Sequence, residues 1–288
     1  MNRFSKYQAL GNDMIVIDPT FFKQPLTPLT IRMLCRRHFG IGADGICHGP
    51  ILGENAPPFS MRFFNPDGSE SEKSGNGMRI FARYLRDKDY VSEDSFHIHM
   101  SGEPIQVRML DNDGRRLALS MGRLSFNSED VHLTGDAREV VDEELTLDDE
   151  QFQITAVSVG NPHCIIFTEN LSQIHSVGPR LESAPQFRQR TNVQLVRVID
   201  EQTITIEIWE RGAGYTLASG TSSTATAAAA VRHGFCQSPV TVIMNGGIAE
   251  VIIDQAWCAT LIGEAVPVYE GILSSELANM IRAAERIQ

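Results

Sequence analysis

Apolar and polar positions along this chain alternate in short runs, broken every few residues by Gly, Pro, Asn or Asp. Residues 14–18, 61–64, 96–99, 105–110 and 115–120 are short, β-branched or alternating, and bounded by such breakers, which predicts strands. Helical spacing appears over 30–38, 75–88, around 179–187, 220–233 and 274–287. Many strands stand between few helices, and the regular strand-helix-strand alternation of a doubly wound parallel sheet is largely missing. The expected class is α+β.

The pattern also repeats. Met61 to Gly77 and Ile206 to Ser222 align without a gap: a strand ends in a polar residue, Asn65 or Glu210, a Gly-containing loop follows, and Ser-Gly opens a helix. The two serines, Ser74 and Ser219, stand 145 residues apart, about half of the 288-residue chain. A second pair, Ala9-Leu10-Gly11-Asn12 and Ser158-Val159-Gly160-Asn161, precedes the strands at 14 and 165 with an offset of 149. Two matches at nearly one offset predict two pseudo-symmetric halves. Shared loop chemistry without duplication is the plainer alternative. The boundary is expected near 122–130, before the acidic, solvated stretch 139–150.

Composition narrows the function classes. The chain has 42% hydrophobic and 21% charged residues, ordinary for a globular protein of one large or two medium domains. A net charge of −11 argues against a nucleic-acid partner, and the longest apolar runs are far too short to cross a bilayer. Five scattered cysteines (35, 47, 164, 236 and 258) and an N-terminus without an apolar signal region suggest a cytoplasmic chain with reduced thiols. Cys47/His48 and His163/Cys164 are adjacent, a spacing that seldom serves one metal, and His97 and His99 share a strand face without further ligands. No metal site is expected.

Ser74-Gly75-Asn76-Gly77 and Ser219-Gly220-Thr221-Ser222 each put small residues at a helix start, where first-turn amides lack partners and the helix dipole is positive. Two such sites facing one cleft would hold a carboxylate and stabilise the charge that develops when its α-proton leaves. The bland reading is two serine N-caps, each followed by Gly for close packing. Gly40-Ile41-Gly42-Ala43-Asp44-Gly45 fits the dinucleotide fingerprint, but it follows a helical pattern and runs into Cys47-His48-Gly49-Pro50, the wrong context for that motif.

Taken together, Gly-Asn-Asp at 11–13, Arg-His-Phe-Gly-Ile-Gly-Ala-Asp-Gly at 37–45, Asn-Pro-Asp-Gly-Ser at 65–69, Gly-Asn-Gly-Met-Arg at 75–79, Gly-Asn-Pro-His at 160–163, Thr-Asn-Val at 191–193, Glu-Arg-Gly-Ala-Gly at 210–214 and Ser-Gly-Thr at 219–221 resemble the diaminopimelate epimerase family. The resemblance implies two similar domains, 1–122 with 267–288 and 123–266. Each is a curved, barrel-like strand layer around a central helix, with the active site in the cleft between them. It also implies inversion of an amino-acid α-carbon without pyridoxal phosphate, metal or other cofactor. One cysteine thiolate removes the proton on one face and a second thiol returns one on the other. By position those cysteines fall at 74 and 219, where this chain has serine.

The remaining implied residues are present. Asn12, Asn65, Asn161, Asn192, Glu210 and Arg211 would contact the substrate, with Arg211 suited to a distal carboxylate. Backbone amides of Gly75, Asn76, Gly220 and Thr221 would hold the reacting carboxylate, and His163 and Glu210 would tune the proton-transfer pair. Gly45 stands where some relatives use a side-chain amide, and Tyr215 where a Glu is frequent. A homodimer and a small amino-acid substrate are implied as well.

A hydroxyl is a weak base unless activated, and loss of a matched general base costs about 10²- to 10⁴-fold. Three readings stay open: a diaminopimelate epimerase weakened or silenced by two sterically conservative replacements; a homologue racemising another amino acid or eliminating slowly, with Lys73 or Glu72 as base; and a protein that only binds an amino acid or a protein partner.

Overall fold

A computed structural model of the chain describes residues 2–51, 59–71 and 74–287. The chain divides into two compact units, Met1–Leu119 with Glu264–Gln288, and Ser120–Gly263. Its elements run β1 (Arg3–Ala9), β2 (Asn12–Ile17), α1 (Pro28–Cys35), β3 (Gly45–Ile51), β4 (Ser60–Phe64), β5 (Glu70–Ser71), α2 (Gly75–Asp87), β6 (Ser95–Met100), β7 (Glu103–Met109) and β8 (Arg116–Arg123). There follow β9 (Glu143–Leu147), β10 (Glu150–Ser158), β11 (Pro162–Phe167), α3 (Ile174–Glu182), β12 (Asn192–Asp200), β13 (Thr203–Glu210), β14 (Gly214–Thr216), α4 (Gly220–Arg232), β15 (Val240–Met244), β16 (Gly247–Ile253) and β17 (Cys258–Glu264). The chain closes with β18 (Val266–Ile272) and α5 (Ser275–Glu285). The class is α+β.

The duplication read from the loops is written in the strand pairing. In the first unit β1 is antiparallel to β2, β2 parallel to β3, β3 antiparallel to β4, and β4 antiparallel to β5 and parallel to β6. In the second unit β10, β11, β12, β13, β14 and β15 follow the same sequence of senses. Helices α2 and α4 fall at the same place in this order, between the short fifth strand and the next parallel one. Strands pack around each: β1, β2, β3, β6 and β18 about α2, and β10 to β13, β15 and β16 about α4.

Strand periodicity sorts the core into two faces. On β2, Ile15 and Ile17 join Ile31 and Leu34 of α1 and Ala278 and Ile281 of α5, while Cys47 of β3 lies against Met14 and the Gly77 carbonyl of α2. With both faces covered, residues 14–17 form an unbroken apolar run rather than an alternating one. In the second unit Cys164, Val193 and Leu195 pack with Ile174, Val177 and Leu181 of α3. The opposite face of β11 and β12 carries His163 and Gln194 toward α4.

Two helices differ from expectation. Helix α1 covers 28–35 rather than 30–38: Thr27 caps it with Pro28 in the first turn, and Gly42 and Ala43 close back on the carbonyls of Leu34 and Cys35. Helix α3 covers 174–182 rather than 179–187, with Pro179 inside it instead of at its start. A short 3₁₀ turn, Leu171–Gln173, leads into it. The fingerprint-like 40–45 segment links α1 to β3, so it enters a strand and opens no helix.

Candidate active site

Both serine positions are helix N-caps of one geometry. Ser74 has φ −145° and ψ 105°, and its Oγ accepts from Gly77 N at 3.1 Å. Ser219 has φ −143° and ψ 128°, and its Oγ accepts from Ser222 N at a longer 3.4 Å. The next amides, of Gly75 and Asn76 or of Gly220 and Thr221, open the helices, whose free first-turn N–H groups favour an anion. Gly77 is required by space, since a Cβ there would fall 2.9 Å from the Phe63 ring and 3.0 Å from Ser74 Oγ.

In the first unit a polar chain runs from the start of α2. Asn76 Nδ2 donates to Asn12 Oδ1 at 3.3 Å, and Asn12 Nδ2 donates to Asp44 Oδ2 at 3.1 Å. Asp44 also accepts from Asp13 N at 3.2 Å and from Arg37 at 2.5 Å, while Arg37 forks onto Asp13. Buried Lys6 pairs with Asp13 at 2.6 Å and donates to the Gly42 carbonyl. Burial alone would raise the Asp13 carboxyl, but Arg37 and Lys6 hold it well below the usual range, whereas burial beside Asp13 pushes Asp44 up. Arg79, fully buried one turn into α2, donates to Asn76 Oδ1 at 2.5 Å, and desolvation brings its guanidinium down to about 10. Asn65 lies apart from this chain: its amide donates to Ser69 Oγ at 3.0 Å within the 65–69 turn.

The second unit carries a network of different groups. Glu210, the last residue of β13, accepts from the Ser219 hydroxyl, and burial pushes its carboxyl above the usual range against that hydrogen bond. Thr221 Oγ1 lies 3.4 Å from Ser219 Oγ. His163 is buried with Nε2 3.1 Å from Asn161 Oδ1 and Nδ1 3.3 Å from Gln194 Oε1, and Gln194 Nε2 donates to Ser222 Oγ at 3.0 Å. An imidazole thus joins the Asn161 loop to the first turn of α4. Asn192 is committed to backbone: its Nδ2 donates to Pro162 O at 2.8 Å and its Oδ1 accepts from Arg211 N at 2.9 Å. The Arg211 guanidinium is exposed and donates to Gln189 O at 3.2 Å.

The structure therefore joins Asn12 with Asn76, Asn161 with His163, Asn192 with Arg211, and Ser219 with Glu210 and Thr221. Asp44, Arg79 and Gln194 were missed. Each lies inside or beside a quoted motif, but the partner that gives it meaning is up to 32 residues away. Lys73 and Glu72 lie outside the described residues. Cys164 and Cys35 are pushed up to about 12 by burial, and Cys47 higher still, so these thiols stay protonated at neutral pH. No group of three or more His, Cys, Asp or Glu arranged to hold a metal occurs among the described residues, and none of their helices is long and apolar enough to cross a membrane.

The model of the family described as diaminopimelate epimerase matches residues 4–127 and 155–268. The chain belongs to the diaminopimelate epimerase family. "Diaminopimelate epimerase 2" of Nostoc sp. is 46% identical over 277 residues, covering 96% of each chain. "Diaminopimelate epimerase" of Synechocystis sp. is 38% identical over 251 residues, covering 86% of this chain and 90% of the relative. Among solved structures, a hydroxyproline epimerase from Agrobacterium vitis superimposes with TM-score 0.65 at 12% identity over 94% of this chain and 90% of the other. A PhzF-family phenazine biosynthesis protein from Bacillus anthracis gives 0.64 at 17% over 95% and 99%. At such identities the structures establish the shared fold, and the diaminopimelate epimerase family makes this chain an isomerase.

Proposed function

We propose that the chain is a diaminopimelate epimerase in which positions 74 and 219 form the proton-transfer pair for interconverting LL- and meso-2,6-diaminopimelate, and that serine at both makes the unmodified chain slow or inactive. The observation that carries the reading is the matched geometry of Ser74 and Ser219, one from each unit, each capping a helix whose free amides suit a carboxylate. One group takes the α-proton, the electron pair left behind delocalises into the carboxylate held by the amides of Gly75, Asn76, Gly220 and Thr221, and the other group delivers a proton to the opposite face. Arg211 takes the distal carboxylate, with Asn12, Asn65, Asn161 and Asn192 shaping the remainder. The chemistry needs no pyridoxal phosphate or other cofactor; a cytoplasmic setting and a homodimer belong to the same reading.

The test is restoration. Ser74→Cys with Ser219→Cys brings fast exchange of the α-hydrogen of diaminopimelate for deuterium in D₂O, with LL and meso forms interconverting. A folded double variant without exchange would overturn the proposal. A second reading, a homologous isomerase acting on another amino acid, draws on Glu210: a carboxylate raised by burial and bonded to Ser219 is a base that works without cysteine. Turnover of another amino acid by the serine chain, lost in Glu210→Gln, would favour it.

A further inference from the structure

Glu182 ends helix α3 and is buried, and its carboxylate collects three donors. Trp209 Nε1 donates to Oε2 at 2.8 Å, Gly212 N donates to Oε1 at 2.7 Å, and Arg190 pairs with Oε1. The first two donors bracket Glu210 and Arg211. The helix is seated on the same segment, because a Cβ at Gly178 would fall 2.7 Å from Trp209 Cβ. From its other side the segment is held by Asn192 Oδ1, which accepts from Arg211 N. The Arg211 side chain is directed by the Gln189 carbonyl, next to the Arg190 that Glu182 holds.

We propose that Glu182 is a positioning residue for the Glu210–Arg211 edge of the site, fixing where these two side chains stand while touching no substrate itself. The inference rests on the function proposed above. Without the carboxylate, an indole N–H and a backbone N–H lose a buried acceptor and recover it only by moving toward water. Displacements near 1 Å in positioning groups are enough to cost about 10²-fold in rate. Arg190, half exposed, contributes less to the clamp than the two neutral donors.

The experiment compares the unmodified serine chain with Glu182→Ala, Glu182→Gln and Arg190→Ala. Calorimetry with meso-diaminopimelate measures affinity, and ¹H–¹⁵N spectra follow the two tryptophan indoles and the amides of Arg211 and Gly212. Glu182→Ala is expected to shift the Trp209 indole, leave that of Trp257 in place, and weaken binding about 10-fold or more; Arg190→Ala weakens it less than about 3-fold. In the Ser74→Cys, Ser219→Cys background, Glu182→Gln lowers kcat for exchange as well as raising KM, because Glu210 moves together with Arg211. A folded Glu182→Ala with unchanged affinity and an unmoved Trp209 indole overturns the proposal. Should that variant fail to fold, Glu182→Gln decides, and parental affinity and parental loop amides overturn it equally. If the serine chain itself binds no diaminopimelate, the functional reading falls and positioning for that substrate falls with it. Unmoved Arg211 and Gly212 amides in Glu182→Gln would overturn the clamp separately.

Discussion

The Ser219 hydroxyl donates to the carboxylate of Glu210, a residue nine positions earlier that ends a different element. Burial raises that carboxyl, so the folded chain holds its proton more tightly than the unfolded chain does. Its contribution to stability is therefore fully present below the ordinary carboxylate range and is lost as pH rises through the raised folded value. Glu210→Gln should flatten this part of the stability-pH curve and leave the protein as stable as the parent or more so at pH 7, measured by urea denaturation at several pH values. Residual exchange by the serine chain should instead rise with pH through the same raised value and be absent in the Gln variant. A parental pH-rate profile in Glu210→Gln would show that the carboxylate takes no part.

Under the proposed two-base chemistry, the single cysteine variants are informative. Ser74→Cys and Ser219→Cys, each alone, place a competent base on one face only. Each should wash the α-hydrogen out of one configuration of diaminopimelate in preference to the other, with opposite preferences, and at roughly 10²-fold or more below the double variant. Proton NMR in D₂O with resolved LL and meso substrates reads this directly. Equal washout of both configurations by one single variant would contradict the assignment of the pair.

The caps have a structural role that persists without chemistry. Ser74→Ala removes the acceptor of Gly77 N and should cost about 1 kcal/mol. Ser219→Ala removes a longer bond and should cost less in that respect, while also releasing Glu210 from the hydrogen bond that opposes its upward shift. Urea denaturation of the two variants gives the order, and a larger loss at 219 would show that the Glu210 contact outweighs the cap.

Gly77→Ala tests how tightly the α2 start is built. Alanine gains about 1 kcal/mol in helix propensity over glycine. The new methyl, however, meets the Phe63 ring at 2.9 Å and Ser74 Oγ at 3.0 Å, and overpacking of this kind costs about 1–3 kcal/mol. The variant should be destabilised by roughly 1 kcal/mol and bind ligand more weakly, because the group displaced belongs to position 74. A gain in stability would mean that Phe63 yields freely.

The fold was readable where its signals are local. Breakers around 14–18 or 105–110 mark strand ends within a few residues, and Ser-Gly at 74 and 219 marks helix starts that the structure reproduces at Gly75 and Gly220. The loop repeat was readable for the same reason, and the strand pairing extends it. Helix α3 was placed too late in the chain: it begins at Ile174, and Pro179 lies inside it, where its missing N–H removes one i→i−4 bond that nothing in the local pattern leads one to expect. The roles of Asp44, Gln194 and Glu182 were not readable, since each depends on partners brought close only by the folded sheet. The same holds for Asn192, whose amide engages the backbone of Pro162 and Arg211, partners that its motif alone does not name.

Helix α4 runs through Ala227 to Ala230 with no exposed surface, and Thr224 and Thr226 turn their hydroxyls back onto the carbonyls of Gly220 and Ser222. Almost every side chain there is already near the smallest available. Trimming leaves only glycine, and enlargement drives into strands on several sides. The helix that carries Ser219 is thus closed to gradual variation, and a lineage shifting its substrate preference has to work through the rims instead. Tyr215, bonded to Glu207 and Asn245 beside the Glu210 hairpin, is one such place.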